Sequence, residues 1–364
     1  MKSKSICCFH LLNDYSGSPQ VLSIVLNMMI DMGYNVRLNT SDTSGFLSGI
    51  TNADKDKTLY RWTGKGFAQI ILLLSAQVQI FFQSLFFYRK YDIFYINTVL
   101  PFGAALAGKM SKKKIIYHIH EKYINPNIMQ RFAYWVMKHT ATHVIFVSNY
   151  LLIQCADLVK NNYCVVFNCL SKEFEMIADN YLKRKINKPE SLKNVLMICS
   201  FKEYKGIIQF ALLAKKLPNF NFHLVVNSEL DEMVSFRENF SSTNLFVYPT
   251  QIDVHKFYQN AHLLVNLSIP RLWIETFGLT LLEGMRYGLP VIAPPVGGPI
   301  EIVQDGINGF CINSENIDLL EEKILKILNN KELYEVFSNA SIQKSRMFEY
   351  DIMYKKVETI LENI

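Results

Sequence analysis

Short apolar runs separated by polar or glycine-bearing breaks recur along the whole chain. Ser5–Leu11 reads as a strand, Pro19–Met32 as a helix that stops at Gly33, and Asn35–Asn39 as the next strand. Asp92–Asn97, Lys114–Ile119 and His143–Val147 are three further strands, and Val165–Asn168 a fourth. Strands alternating with helices predict a parallel sheet covered on both faces, because each parallel neighbour is reached by a helical crossover.

Residues 171–193 lose the strand pattern and carry charges and Pro189, so they are predicted to be a linker. The alternation then restarts. Val195–Cys199, Phe222–Asn227, Leu245–Tyr248, Leu263–Leu267 and Val291–Ala293 read as strands; Gly206–Lys216 and Asp253–Asn260 read as helices. Another helix opens near Gly278, and two helices close the chain. Two similar α/β halves are expected: residues 1–170, joined by a helix at about 347–364, and residues 194–346. Phe67–Tyr88 is long enough to span a bilayer, but Gln69, Ser75, Gln77, Gln79, Gln83 and Ser84 interrupt it. An amphipathic helix is predicted instead, with Ile70, Leu74, Val78, Phe81, Leu85 and Tyr88 packed on the sheet.

Half of the 364 residues are apolar and 19% are charged, which excludes a disordered chain. The seven cysteines form no CxxC pair, so zinc and redox sites lack support and a reduced, cytoplasmic compartment is expected. The apolar stretch within Met1–Leu12 runs into Asn13 and Asp14 without a small-residue cleavage site, so it is read as a strand and not as an export signal. Charge changes the picture more. Residues 1–170 hold 17 Lys+Arg against 8 Asp+Glu, a net of +9, while the remainder is net −3. That asymmetry points the first half toward an anionic partner. Lys112–Lys114 has no interleaved aromatics and no nucleic-acid motif beside it, so a membrane surface is expected and nucleic acid is not.

The chemistry concentrates in Asn266–Phe310, NLSIPRLWIETFGLTLLEGMRYGLPVIAPPVGGPIEIVQDGINGF, where glycines and prolines separate apolar runs. Glu275 and Glu283 stand eight apart, one before a helix start and one about a turn inside it. Between them the N–H groups of Gly278, Leu279 and Thr280 offer a seat for a diphosphate. Carboxylates on either side suit the hydroxyls of a ribose and a hexose, the layout of a nucleotide sugar.

The run ETFGLTLLEGMRYGLPVIAPPVGG resembles the E-x7-E signature of the large family 4 of retaining glycosyltransferases, and the stretch around VLMICSFKEYKGI resembles that family's phosphate-binding loop. The likeness is close over about 194–312 and looser over the first half, through DYSGSP, HIHE and VIFVSNY. It implies a GT-B fold, two Rossmann-like domains facing each other across a cleft, with the donor on the second. By the same resemblance Glu283 holds the ribose hydroxyls. Glu275 contacts the transferred sugar, and Phe277, Gly278, Leu279 and Thr280 line the sugar and diphosphate. Lys205, before Gly206, neutralises the leaving diphosphate. The family pattern has an arginine five residues before that lysine, where this chain has Ser200; Lys202 and Arg271 are the candidates to replace it. Gly17 lies in a loop near the donor phosphates, and His120 faces the active cleft, with His118 on the same strand face. A His-x-His pair also suits a metal, but nothing completes such a site.

The function expected is retaining hexosyl or N-acetylhexosaminyl transfer from a UDP- or GDP-linked sugar, by front-face attack and without metal or other cofactor. The acceptor expected is a lipid-linked saccharide in bacterial capsule or O-antigen assembly, at the inner face of the cell membrane. The rival readings are a degenerate partner subunit, a sugar-nucleotide epimerase and a glycoside phosphorylase.

Overall fold

The computed structural model describes residues 4–64, 66–124, 126–160, 162–184, 191–228 and 230–364. It divides into two compact units, residues 1–167 with 353–364, and residues 168–352. Each is built on its own parallel sheet.

The first unit runs β1 (Ser5–Phe9), α1 (Gly17–Asp31), β2 (Asn35–Ser41), β3 (Asp54–Thr58), α2 (Gly66–Phe86), β4 (Ile93–Asn97), α3 (Phe102–Met110), β5 (Lys114–Ile119), α4 (Ile128–Thr140), β6 (His143–Phe146), α5 (Asn149–Cys155) and β7 (Tyr163–Val165). Its strand order is β3-β2-β1-β4-β5-β6-β7, all parallel. The central strands are continuous apolar runs buried on both faces. β3, DKDKT, carries no apolar alternation and is not predicted from sequence. It holds the sheet edge through Arg37 on β2, which reaches Asp54 and Asp56 at 2.7 Å each. The strand expected at Val165–Asn168 is instead β7, two residues earlier at its start and three at its end.

Helix α2 is turned from the face its pattern predicts. Ala76, Gln77, Ile80 and Ser84 are buried; of the predicted set Tyr88 is buried and Phe81 and Leu85 are half-buried, whereas Ile70, Leu74 and Val78 are about half exposed. Two contacts explain the turn. A Cβ on Gly103 of α3 would overlap the Gln77 carbonyl oxygen, so the two backbones meet closely, and only a small-residue face permits that. The glutamines also serve backbone partners. Gln77 Oε1 accepts from Gly103 N–H at 2.9 Å, while Gln79 bonds both Lys57 O and Leu59 N beside β3.

The second unit comprises α6 (Lys172–Arg184), β8 (Asn194–Ser200), α7 (Ile207–Lys216), β9 (Asn221–Asn227), α8 (Val234–Asn239), β10 (Leu245–Tyr248), α9 (His255–Asn260), β11 (Leu263–Val265), α10 (Leu279–Arg286), β12 (Val291–Ala293), α11 (Pro299–Ile302), β13 (Gly309–Cys311), α12 (Ile317–Leu328) and α13 (Lys331–Ser345). The sheet order is β10-β9-β8-β11-β12-β13, again parallel. Its core gathers Val195, Phe210, Phe222, Leu263, Ile292 and Phe337 from strands and covering helices. A last helix, α14 (Tyr350–Glu362), follows, and from Met353 onward the chain groups with the first unit. There Lys356 lies over the Phe167 ring.

Residues 171–193 are not a plain linker: α6 fills most of them, and 185–190 lie outside the described residues. Its charges hide a helical apolar stripe. Phe174, Ala178 and Tyr181 recur at helical spacing, and both rings pack against Tyr287. Arg286 anchors the same helix, ion-paired with Asp179 at 2.8 Å and with Glu349 at 3.0 Å.

Candidate functional site

In both sheets the strand order reverses beside the first strand, between β1 and β4 and between β8 and β11. Such reversals open a crevice at the strand C-terminal ends, because the flanking crossovers leave to opposite faces. Of the predicted site residues, Gly17 follows β1, Lys205 follows β8, and Glu275 and Glu283 follow β11, whereas His120 follows β5, one strand beyond the first reversal.

In the second unit, β8 ends at Ser200 and the chain tightens through a 3-10 turn, Glu203–Lys205, into Gly206 at φ 79°. A Cβ at Gly206 would overlap the Leu267 carbonyl oxygen just beyond β11, so glycine is required there. The close passage brings Lys205 Nζ to 2.8 Å from Glu275 Oε2, with only 16% and 19% of the two side chains exposed. Burial alone would lower the Lys205 pKa; the charge and hydrogen bond of Glu275 outweigh it, and the net shift is upward. The ammonium also lies 5.4 Å from the Trp273 ring and 5.9 Å from Tyr204, which stack on each other. Lys205 is therefore a fixed cation at neutral pH.

The backbone around Glu275 is clamped from the other side. Gly298 N–H donates to its carbonyl at 2.9 Å, and a Cβ on Gly297 would overlap that same oxygen. Gly278, at φ 100°, then opens α10. Leu281 and Leu282 bond back to the Gly278 carbonyl, while the N–H groups of Gly278, Leu279 and Thr280 donate to no described protein group. The positive end of the helix is thus available to an anion. Glu283 sits one turn further in and is buried. Tyr258 OH donates to its Oε2 at 2.5 Å; burial first, and the Glu283 charge second, hold that phenol well above the usual tyrosine range. The arrangement offers a helix start and two oriented carboxylates within Glu275–Glu283, and one fixed cation, Lys205, brought to them from the end of β8.

Two expectations need correction. The Phe277 ring is buried against Phe348, 5.8 Å between centroids, so it does not line the helix start. Arg271 reaches away to Glu315 at 2.7 Å and is mostly exposed, so it does not stand in for the arginine missing at Ser200. Lys202 is exposed at the head of the 3-10 turn and makes no ion pair among the described residues. Sequence reading missed Tyr258 and Trp273, which left no local signal; Gly297–Gly298 belong to the signature run, but their clamp on the Glu275 carbonyl was not read from it.

In the first unit, Gly17 is the first residue of α1, exposed, with Ser16 as N-cap and Asp14 Oδ1 accepting from Ser16 N at 3.0 Å. His120 follows β5 and is buried, as is His118. Asn97, at the end of β4, joins the pieces. Its Nδ2 donates to Ser18 O and to His10 Nδ1, both at 3.1 Å, and its Oδ1 lies 2.8 Å from His120 Nε2. A carbonyl only accepts, so Ser18 O fixes the amide orientation, and His120 must carry its proton on Nε2. His118 donates or accepts at Tyr95 OH, 2.8 Å, with its ring 4.3 Å from that of His120. Burial lowers all three histidines, His10 to about 4 and His118 to about 3, so the cluster is neutral at pH 7. Among the described residues, no group of three His, Cys, Asp or Glu is placed to hold a metal ion.

Two parallel-sheet Rossmann-like units make this a fold of the GT-B class. Residues 179–344 match the family described as Glycosyl transferases group 1. An uncharacterized glycosyltransferase of Methanocaldococcus jannaschii is 28% identical over 267 residues, 72% of each chain. An uncharacterized 41.2 kDa protein in the cps region of Klebsiella pneumoniae is 25% identical over 318 residues, 80% of this chain and 84% of that one. Anabaena HepE, solved with UDP and glucose, shares the fold at a TM-score of 0.79 over 99% of both chains, with 16% identity.

Proposed function

We propose that the chain is a retaining glycosyltransferase that moves a hexose or N-acetylhexosamine from a UDP- or GDP-linked donor to a lipid-linked saccharide. The observation that carries the reading is the Lys205–Glu275 pair beside the open start of α10, with Glu283 one turn behind. In this reading the diphosphate takes the N–H groups of Gly278, Leu279 and Thr280 and the ammonium of Lys205, with Lys202 reaching it from the rim. Glu283 accepts from the ribose hydroxyls, and Glu275 from the hydroxyls of the sugar. The bond between anomeric carbon and phosphate oxygen breaks, and its electron pair leaves with the nucleotide diphosphate. The acceptor hydroxyl oxygen bonds to the same face of that carbon, and its proton passes to the departing phosphate oxygen. Lys205 and the helix start stabilise the charge that grows there, which is why no divalent cation is required. On the first unit, Gly17 serves the donor phosphates and the acceptor, and the neutral His120 serves the acceptor side.

The capsule or O-antigen role draws on the relative in a cps region. A cytoplasmic, membrane-peripheral location agrees with the basic first half of the chain. The test is turnover of UDP- and GDP-sugars with membrane extract as acceptor, with and without EDTA, reading the product's anomeric configuration by NMR. Retention with EDTA-insensitive rates agrees with the proposal. Inversion, or loss of activity restored by added Mg²⁺, contradicts it. Donor binding without any transfer would favour the degenerate-subunit reading, and phosphate-dependent cleavage the phosphorylase.

A further inference from the structure

Helix α2 is the one helix among the described residues long and apolar enough to cross a membrane, yet most of it is exposed. It cannot cross one. β3 and β4, at its two ends, belong to the same parallel sheet, so the helix lies over that sheet as a crossover. Its exposed side is a continuous apolar stripe: Phe67, Ile70, Leu74, Val78, Phe82 and Phe86 are 43–78% exposed at spacings of three and four. No charged residue lies within Gly66–Phe86. Outside the helix, Trp62 is 65% exposed before it and Phe87 71% after it.

We propose that this stripe seats in the interfacial region of an anionic lipid bilayer, with α2 lying in the membrane plane. The deciding argument is charge. Between Asp56 and Asp92 the chain has no acidic residue, and it carries Lys57, Arg61, Lys65, Arg89 and Lys90. Arg61 precedes the helix, Arg89 and Lys90 follow it, and none of these three makes an ion pair among the described residues. The neighbouring acids are already engaged: Asp54 and Asp56 bind Arg37, and Asp42 binds Lys57. An apolar stripe with a cation at each end and an indole beside it matches the bilayer interface, where tails, headgroups and anionic charge occur in that order with depth. A second copy of this chain would set like charges against like, since the same basic ends would meet across the contact. The turn of α2 has the same consequence: Gln77 and Gln79 serve α3 and β3, and Phe67, Ile70, Leu74, Val78, Phe82 and Phe86 are left for lipid.

The inference gives a surface to the membrane location proposed above but does not depend on the donor chemistry. The experiment is co-sedimentation of the full chain with vesicles of phosphatidylcholine containing one-third phosphatidylglycerol, beside vesicles of phosphatidylcholine alone. The variants are Leu74→Asp with Val78→Asp, and Arg89→Glu with Lys90→Glu. Circular dichroism and the donor-induced thermal shift of the soluble protein serve as folding controls. Binding to the anionic vesicles only is expected, weakened about tenfold or more by the apolar pair. It should also weaken in the charge pair and as salt rises to ~1 M, where the Debye length falls to about 3 Å. Equal binding by wild type and the Leu74/Val78 variant would overturn the proposal. So would a dimer in solution that the same variant splits, because the stripe would then be a subunit contact. A normal donor shift without vesicle binding sinks only the docking surface; vesicle binding without any donor shift sinks only the transferase reading.

Discussion

Replacing Lys205 by Met keeps an unbranched stem and removes the charge that faces Glu275 and the Trp273 ring. At 2.8 Å, with both side chains largely enclosed, the pair sits between the two regimes in which ion pairs have been measured. Exposed pairs contribute roughly 0–1 kcal/mol, and loss of one partner from a fully buried pair costs about 3–5 kcal/mol. A cost of about 2 kcal/mol is expected for Lys205→Met, and a coupling of about 1–2 kcal/mol in the cycle with Glu275→Gln. Urea unfolding of wild type, both single variants and the double variant measures it. The folded pKa of Lys205 is raised, so its contribution is fully present below the unfolded lysine value of about 10.4 and is lost as pH rises through the higher folded value. The coupling should therefore be flat from neutral pH to about 9 and fall only beyond the unfolded lysine value. Turnover, in contrast, should fall about a hundredfold in Lys205→Met at every pH, because the leaving diphosphate loses its cation. A coupling within error of zero, with turnover unchanged, would show that the pair is ornamental and that the site lies elsewhere.

Three further outcomes follow from the same contacts. Gly206→Ala forces a Cβ into the Leu267 carbonyl at positive φ and should cost about 2 kcal/mol or more in thermal unfolding while abolishing donor binding; a stable variant that binds normally would refute the close passage. Asn97→Asp keeps the acceptor toward His120 but removes the amide donors and adds a negative charge, so the histidines' pKa values should rise and the acid limb of the pH–rate profile should move upward. Asn97→Ala should lower the rate without that movement, and identical profiles for both would reduce Asn97 to packing. Glu175, pushed up to about 7 mainly by burial despite its bond from Tyr350 N–H, binds a proton in the folded state that the unfolded chain has released. Stability should consequently fall as pH rises from the unfolded carboxyl value to about 7, and Glu175→Gln should remove about 1 kcal/mol of that fall, discounted for partial exposure. A flat difference between the two proteins across this range would contradict the assignment.

What was legible in the sequence is what neighbours along the chain decide. The buried parallel strands announce themselves as apolar runs, and the spacing of Glu275 and Glu283 about Gly278 already sets their places relative to one helix start. Elements defined by a partner distant in sequence were not legible. β3 is a strand because Arg37 holds Asp54 and Asp56, and nothing in DKDKT reports that arginine. Tyr258 reaches Glu283 only after two crossovers bring α9 and α10 together. Asn97 meets His120 only through the register of β4 on β5, where it pairs with His118. The face of α2 went wrong for a physical reason: burial there follows the closeness of Gly103, not hydrophobicity. The charges of α6 concealed Phe174 and Tyr181 in the same way.

The central claim is that the start of α10, with Lys205, Glu275 and Glu283 about it, holds the donor's diphosphate and sugars. A thermal-shift titration with UDP, GDP, ADP, CMP and their common sugar conjugates, on wild type and Glu283→Ala, tests it most directly. The account predicts that one nucleotide class raises the melting temperature, that its sugar conjugate raises it further, and that Glu283→Ala loses the shift. A wild type indifferent to every nucleotide, or a shift that survives in Glu283→Ala, would contradict it.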